Sequence, residues 1–370
     1  MNTISKIKII YIAEFSLPNM SAYSVHVLKM CGAASELGYK VNLVLPFINK
    51  SYNTSKIKKD YSLKRKINLI SFFKKKKRMN FFYRILFSLF LFNYLKNNRN
   101  NFIISRSILL SILLAIINIK NILEIHTEIT GFTKFLFFLT NFNFIKKNLK
   151  FITLNHYIKK KLKLNKQNTL ILDDAVDLKD FNYKSKKIIK NTCVYTGSFA
   201  PGKGFDLILK LSKIMPKIHF HLYGNIKTLN DQKILKSLPK NMKMKGYIPY
   251  NNVGRTLAKY KILLMPYSNK VGVLIKNISV ENYFSPLKMF EYMASGKIII
   301  GSDLKVYRHI LKKNYNSILL NPKNLKSWKK SIMKILCSKK YYYLGINARK
   351  DVKKFTWNLR VKKIIQFNEK

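Results

Sequence analysis

The sequence predicts an α/β protein made of two doubly wound halves of similar size. Three observations predict it. Short apolar runs rich in Ile, Val and Leu alternate with segments of helical periodicity along nearly the whole chain. The opening reads strand–helix–strand, which implies a parallel sheet with right-handed crossovers. A polar and comparatively acidic stretch, Asp173–Tyr183 (DDAVDLKDFNY), then interrupts the series as a linker would, and a second alternating series starts at Thr192. The length of 370 residues accommodates two or three domains.

In order, Ile7–Ile12 is a first strand, and Ala22–Leu37 is a helix with Gly38 where its C-cap belongs. Val41–Leu45 is the next strand. Asn49–Lys77 breaks the rhythm; it is polar and basic, with a strand expected at Ile67–Phe72. Met79–Leu95 reads as helix, Phe102–Ser105 as strand, Ile108–Ile117 as helix, and Ile122–Ile125, Phe151–Leu154 and Thr169–Leu172 as strands. The second half offers strands at Cys193–Thr196, Ile218–Leu222, Met242–Met244, Ile262–Met265, Ile298–Ile300 and Ile318–Leu319. In such sheets ligands bind at the carboxyl ends of the strands, and with two halves the site is expected in the cleft between them.

The formal net charge is +55, from 71 basic and 16 acidic residues. It points to an anionic partner: a nucleotide, a phospholipid surface or nucleic acid. Only nine of the basic residues are Arg, and the Lys excess travels with abundant Asn, Ile, Phe and Tyr, as AT-rich coding also produces. Specific nucleic-acid reading, which favours Arg, is not expected. Three widely spaced cysteines, Cys31, Cys193 and Cys337, support neither a disulfide framework nor a zinc site, and a reducing cytoplasm fits them. Ile85–Leu95, Ser107–Ile119 and Phe135–Phe144 are apolar but too short or interrupted to span a bilayer, which takes about 20 residues.

Two segments are the candidates for chemistry. In Tyr283–Lys297 (YFSPLKMFEYMASGK), Ser285 is a preferred N-cap and Pro286 suits the first helical position. The N–H groups of Leu287, Lys288 and Met289 would then point outward as an anion site, with Lys288 adding a full charge. Glu291 shares the face of Leu287 and Lys288, and a carboxylate there suits ribose hydroxyls. A well-capped amphipathic helix with a Lys288–Glu291 pair explains the same residues equally. In Thr196–Asp206 (TGSFAPGKGFD), Gly197, Gly202 and Gly204 form a strand-to-helix loop from which Lys203 could reach a diphosphate. No Ser or Thr follows the Gly-Lys pair, so this is not a Walker A loop, and a plain βα turn accounts for it.

Taken together, the segments resemble the family-4 retaining glycosyltransferases of the GT-B fold. The resemblance is carried by ILDDAVDLKDF, VYTGSFAPGKGFDLIL, GYIPYNNVGRTLAKYKILLMPYS, SPLKMFEYMASGKIIIGSDLKVYRHIL, NSILLNPKNLKSW and FTWNLRVKKI. SAYSVHVLKMCGAASELGYKVNLVLP, Ser105–Ser107 and LEIHTEITG match more loosely. It implies two Rossmann-like domains facing a central cleft: an acceptor-binding domain over 1–178 and a nucleotide-sugar-binding domain over 185–355. A C-terminal helix at about 356–370 packs back on the first.

The resemblance also implies roles. Glu291 matches the second glutamate of the family's E-x7-E motif, which holds the ribose; the first falls on Tyr283, with Glu281 two residues early. Lys203 matches the lysine that contacts the diphosphate. The arginine that usually joins it is replaced by Ser198, and Lys288 supplies the missing charge. Gly202, Ser285, Pro286 and Leu287 join the donor site, and Gly246, Tyr247 and Ile248 match the segment that reads the base. His126 matches a histidine near the transferring sugar, although by itself a satisfied loop-edge His explains it. His26, inside the first helix, reads as structural. Arg106 and Tyr23 are expected on the acceptor side, where a surface Arg is the plainer account of Arg106.

The expected reaction moves a sugar from a nucleotide-sugar donor to a glycan or lipid-linked acceptor with retention, in bacterial surface polysaccharide synthesis, without a cofactor or metal. Another GT-B activity, such as a nucleotide-sugar epimerase, and a non-catalytic basic protein that binds membrane or nucleic acid are the alternatives. Lys74–Lys77 and Arg78 beside Phe81, Phe82 and Tyr83, with Phe132, Phe135, Phe137, Phe138, Lys146 and Lys147, suggest peripheral attachment to the anionic inner face of the plasma membrane. A buried apolar core with surface lysines is the opposing account.

Overall fold

The computed structural model describes residues 8–97, 101–127, 129, 131–229, 232–268 and 286–369. The chain divides into two compact units: Met1–Asp173 with Trp357–Lys370, and Asp174–Thr356.

The first unit begins with β1 (Lys8–Ile12), β2 (Ser16–Leu17), α1 (Ala22–Glu36), β3 (Lys40–Leu45), β4 (Phe47–Ile48), α2 (Thr54–Asp60) and β5 (Asn68–Ser71). It continues with α3 (Phe81–Leu95), β6 (Phe102–Ser105), α4 (Ile108–Ile116), β7 (Asn121–Ile125), α5 (Phe132–Phe138), α6 (Asn143–Lys146), β8 (Leu149–Thr153), α7 (His156–Lys161) and β9 (Thr169–Ile171). Seven strands form one parallel sheet in the order β5-β3-β1-β6-β7-β8-β9, and β2 pairs with β4 beside it. The chain therefore reverses its direction of travel across the sheet between β1 and β6. That switch point leaves a crevice at the carboxyl ends of these two strands. Local chemistry sets the helix ends. Ser21 accepts from the Ser24 N–H at 3.2 Å to start α1, and Gly38, at φ +97°, turns the chain after it. Phe87, Leu91 and Leu95 of α3 pack with Leu110 and Leu114 of α4 on Ile10, Ile12 and Ile103 of the sheet.

The second unit holds β10 (Thr192–Thr196), α8 (Phe205–Ile214), β11 (His219–Tyr223), β12 (Met242–Gly246), α9 (Tyr250–Leu257) and β13 (Ile262–Met265). It ends with α10 (Leu287–Ser295), β14 (Ile298–Ser302), β15 (Ile318–Leu320), α11 (Leu325–Cys337) and α12 (Tyr342–Asp351). Its six parallel strands run β12-β11-β10-β13-β14-β15, so the switch point falls between β10 and β13. The last helix, α13 (Trp357–Glu369), belongs to the first unit, where it packs against α1 with Trp357, Val361 and Ile364 buried.

Three expectations change. Asp173–Tyr183 is not an open linker: Asp174, Ala175, Val176 and Phe181 are buried, and the Val176 N–H donates to the Phe355 carbonyl at 3.0 Å. Its acidic residues concealed an apolar subset that packs. The irregular 49–77 stretch contains α2, started by an Asn53 cap on the Lys56 N–H. Helices α5, α6 and α7 arise where aromatic and basic runs hid the period.

Among the described residues no helix is long and apolar enough to cross a membrane. The outer face of α3 exposes Phe81, Phe82, Leu89 and Phe90, and the α5–α6 region exposes Phe135, Phe138, Phe142 and Phe144. Phe137 does not join them: it is buried against Phe151, with ring centroids 5.8 Å apart. The Phe132 side chain lies outside what the structure describes.

Candidate active site

In the second unit, the functional side chains collect at the switch point of the sheet. β10 is followed by Gly197, whose φ of +136° suits glycine alone. A Cβ placed there would stand 2.6 Å from Lys288 Nζ, so the missing side chain is what admits the ammonium group. Lys288 Nζ is buried 3.7 Å from the centre of the Tyr195 ring and 5.1 Å from that of Tyr267. Among the described residues it has no hydrogen-bond acceptor. Lys203 Nζ lies 5.3 Å from the same Tyr267 ring. Two cations thus share a cradle of aromatic faces. Burial, and secondarily Lys203, pushes the Lys288 pKa well down, against the opposing pull of Glu291. Burial lowers that of Lys203 to about 8. The full charge expected on Lys288 is therefore disfavoured while no anion is bound.

The cradle is braced. The Tyr195 hydroxyl donates to the Ser198 carbonyl at 2.6 Å, leaving the Ser198 side chain exposed. The Thr196 N–H donates to the Tyr292 hydroxyl at 2.9 Å, tying α10 to the end of β10. Gly204, at φ +100°, would drive a Cβ to 2.3 Å from the Pro266 carbonyl oxygen, and the Gly202 carbonyl accepts from the Ser268 N–H at 2.9 Å. Lys203 is held between these two points.

The start of α10 differs from the expectation. Pro286 is the N-cap and helix begins at Leu287, one residue later than the Ser285 cap implied. The Met289 N–H donates to the Pro286 carbonyl at 2.8 Å and is not available to an anion. Leu287 and Lys288 remain at the first two helical positions, where N–H groups have no intrahelical acceptor. Ser285, Tyr283 and Glu281 lie outside the described residues. Glu291 is half-buried one turn beyond Lys288. Gly246 is at φ +73° with open space where a Cβ would be, and its carbonyl accepts from the Gly224 N–H. Tyr247 beside it is exposed and Ile248 half-buried.

In the first unit, His126 follows β7 directly. Its side chain is only 12% exposed, so it is mostly enclosed, and its Nε2 lies 3.0 Å from Glu124 Oε1. His26 Nε2 lies 3.0 Å from that same oxygen. Its ring stands perpendicular to that of His126 with centroids 4.4 Å apart. Arg360 NH2 reaches Glu124 Oε1 at 2.6 Å, and the Tyr11 hydroxyl donates to Oε2. Burial alone would raise the Glu124 pKa, but His26 and His126 hold it well below the ordinary carboxylate value. Burial, then Arg106, lowers that of His126 to about 3, so its ring is neutral. Arg106 follows β6, with its guanidinium 3.9 Å from the centre of the Tyr23 ring; the Tyr23 hydroxyl accepts from the Glu14 N–H at 3.1 Å. Arg106 is thus half-buried and stacked, not a plain surface residue.

The sequence reading missed Glu124, Tyr195, Tyr267, Tyr292 and Arg360. Glu124 had a signal, being a charge inside an apolar strand, where a lone carboxylate is costly. The tyrosines had none, since Tyr is abundant throughout.

Glycosyltransferases are among the solved structures with this arrangement of elements. A glycosyltransferase from Rickettsia africae aligns with a TM-score of 0.72 at 13% identity, covering 98% of each chain. Sucrose-phosphate synthase from Thermosynechococcus elongatus aligns at 0.73 and 14%, again over 98% of each. HepE of Anabaena, solved with UDP and glucose, aligns at 0.71 and 11%, over 97% of this chain and 99% of its own. The fold is GT-B. Residues 179–351 match the family described as glycosyl transferases group 1, a span that includes Gly197, Lys203, Lys288 and Glu291. No curated protein matches the sequence. The GT-B fold accounts for the two switch-point crevices, one in each unit, and the group 1 match falls on the unit that carries the lysine cradle.

Proposed function

We propose that the protein is a retaining glycosyltransferase that uses a nucleoside diphosphate sugar. The observation that carries this reading is the Lys203–Lys288 cradle over Tyr195 and Tyr267, at the switch point of a unit that matches the group 1 glycosyltransferases. Two lysines whose charge burial disfavours face the same aromatic cradle, and a bound diphosphate favours the charged form of each. Retention proceeds by front-face substitution through an oxocarbenium-like transition state. The leaving diphosphate gains charge in that state, and Lys203, Lys288 and the N–H groups at the start of α10 stabilise it without a metal. Glu291 accepts from the ribose, and Gly246–Ile248 contact the base.

The first unit binds the acceptor, with His126 near the transferring sugar and Arg106 and Tyr23 on the acceptor side. A glycan or lipid-linked acceptor of a bacterial surface polysaccharide fits the exposed Phe81, Phe82, Phe135 and Phe138 beside Lys74–Lys77 and Arg78. That combination suits a peripheral seat on an anionic membrane face.

A thermal-shift panel of nucleoside diphosphates, UDP first, tests the reading. A ligand at about 100 times its dissociation constant stabilises by roughly 2.7 kcal/mol. HepE has been solved with UDP-glucose, which makes uridine the first base to try. A panel in which nothing raises the melting temperature contradicts the reading.

A further inference from the structure

β15 is the last strand of the second sheet, so among the described residues one of its edges has no neighbouring strand. On the other edge the Leu320 carbonyl accepts from the Asp303 N–H at 2.8 Å, just beyond β14. Peptide groups alternate sides along a strand, so the N–H and carbonyl of Leu319 turn toward the open edge. Beside that edge lies a cavity of about 190 Å³. That volume is the liquid share of about six water molecules. Lys313, Asn314, Leu319, Ser331, Lys334 and Tyr341 line it, and among the described residues no carboxylate does.

The cavity is remote from the lysine cradle. Lys313 and Asn314 precede β15, and Lys334 lies in the last turn of α11, which runs back along the sheet. The two lysines therefore sit at the amino end of the strand, whereas the cradle forms at the carboxyl ends. α11 buries Trp328, Ile332 and Ile335 in the core, which leaves Ser331 and Lys334, one turn apart, on its flank.

The walls are fixed in place. The Asn314 N–H donates to the Ser317 carbonyl at 2.8 Å, and its carbonyl accepts from the Tyr343 hydroxyl at 3.2 Å. Behind this loop the buried Asn316 accepts from the Lys312 N–H at 2.7 Å and donates to the Asp351 carboxylate at 2.9 Å. The carboxyl end of α11 would repel an anion beside Lys334. Lys261 offsets that end, donating to the carbonyls of Ile335 and, at 2.9 Å, Ser338. Lys313 and Lys334 are exposed, so the cavity opens to solvent beside them.

We propose that this cavity is a second binding site for a small phosphorylated sugar. Lys313 and Lys334 take the phosphoryl oxygens. The Ser331 hydroxyl, the Asn314 amide and the Leu319 peptide take ring hydroxyls, and Tyr341 is the apolar wall. The inference does not depend on the glycosyltransferase reading, because no residue of the cradle takes part.

Isothermal titration of the full-length protein with glucose 1-phosphate, glucose 6-phosphate, fructose 6-phosphate and inorganic phosphate tests it. At least one sugar phosphate should bind at one site per chain, about tenfold more tightly than inorganic phosphate. Lys313→Gln with Lys334→Gln should weaken that binding about tenfold. Lys326→Gln with Lys329→Gln removes the same charge from exposed positions of α11 outside the cavity and should leave it unchanged, as should Lys288→Ala in the cradle. Ser331→Leu, which fills the cavity without altering charge, should also abolish binding. The proposal is overturned if none of the sugar phosphates binds, or if inorganic phosphate binds as tightly. It is equally overturned if the two lysine pairs give the same loss, if Ser331→Leu binds as wild type does, or if Lys288→Ala removes the binding.

Discussion

Lys288 Nζ sits 3.7 Å above the Tyr195 ring, in space that exists because residue 197 is glycine. Gly197→Ala should therefore act on ligand binding as much as on stability. The new methyl meets the far end of a flexible chain, which can move away, but the backbone at φ +136° resists any side chain. We expect about 1–3 kcal/mol of destabilisation from that backbone conformation. The stabilisation conferred by nucleoside diphosphate should disappear with it. Gly204→Ala is the contrast: its methyl meets the Pro266 backbone carbonyl at 2.3 Å, which cannot yield. Melting curves with and without UDP separate the two variants.

Diphosphate binding should take up protons. Burial lowers Lys203 to about 8 and Lys288 well below its ordinary value in the unliganded protein. A bound diphosphate raises both, since it favours the charged forms. Affinity is then greatest and flat below the unliganded values and falls as pH rises through about 8 toward the liganded ones. Calorimetry in two buffers of different ionisation enthalpy reads the uptake directly. Affinity that is flat from neutral pH to pH 10 counts against these lysines as the anion site.

Lys203→Ala and Lys288→Ala should lower kcat more than they raise the donor KM, because leaving-group charge grows in the transition state. If either variant shifts only KM, that lysine holds the ground state.

Glu291→Ala should weaken nucleotide binding by about 1.5–3 kcal/mol, the scale of a hydrogen bond to a charged group. Isothermal titration with UDP checks it, and an unchanged dissociation constant removes Glu291 from the ribose.

Binding to anionic vesicles should weaken as salt rises, with little binding to neutral ones. Replacing Lys74–Lys77 by Gln should reduce it at about 1 kcal/mol per lysine near the surface. The apolar part is carried by the exposed rings, so Phe135→Ser with Phe138→Ser should reduce binding too. Changing the buried Phe137 would instead unfold its surroundings. Equal co-sedimentation of wild type and variants rules out this face.

Strand and helix alternation was legible because parallel strands are continuous apolar runs and their helices keep a clear period. Phe102–Ser105 and Ile262–Met265 were read to the residue. Helices α5 to α7 were not, because Phe and Lys there occur at nearly every phase. The start of α10 was read one residue early: Ser285 and Pro286 both favour a helix start, and local preference cannot choose between them. Gly197 and Lys203 could be seen as a loop, but the depth of Lys288 could not. It depends on Tyr195 of β10 and Tyr267 just after β13, which meet only when β10 and β13 pair. Glu124 was visible as an anomaly within LEIH, whereas Arg360, 236 residues later, gave no hint of being its partner.

The central claim is that this chain transfers a sugar from a nucleoside diphosphate with retention. It is tested most directly by incubating the protein with α-linked donor and lipid extract and following the anomeric signals of donor and product by NMR. The account predicts release of nucleoside diphosphate together with a product whose new linkage is α, and loss of both in Lys288→Ala. A β-linked product, or a nucleotide that binds at the cradle while no offered donor is ever cleaved, would contradict it.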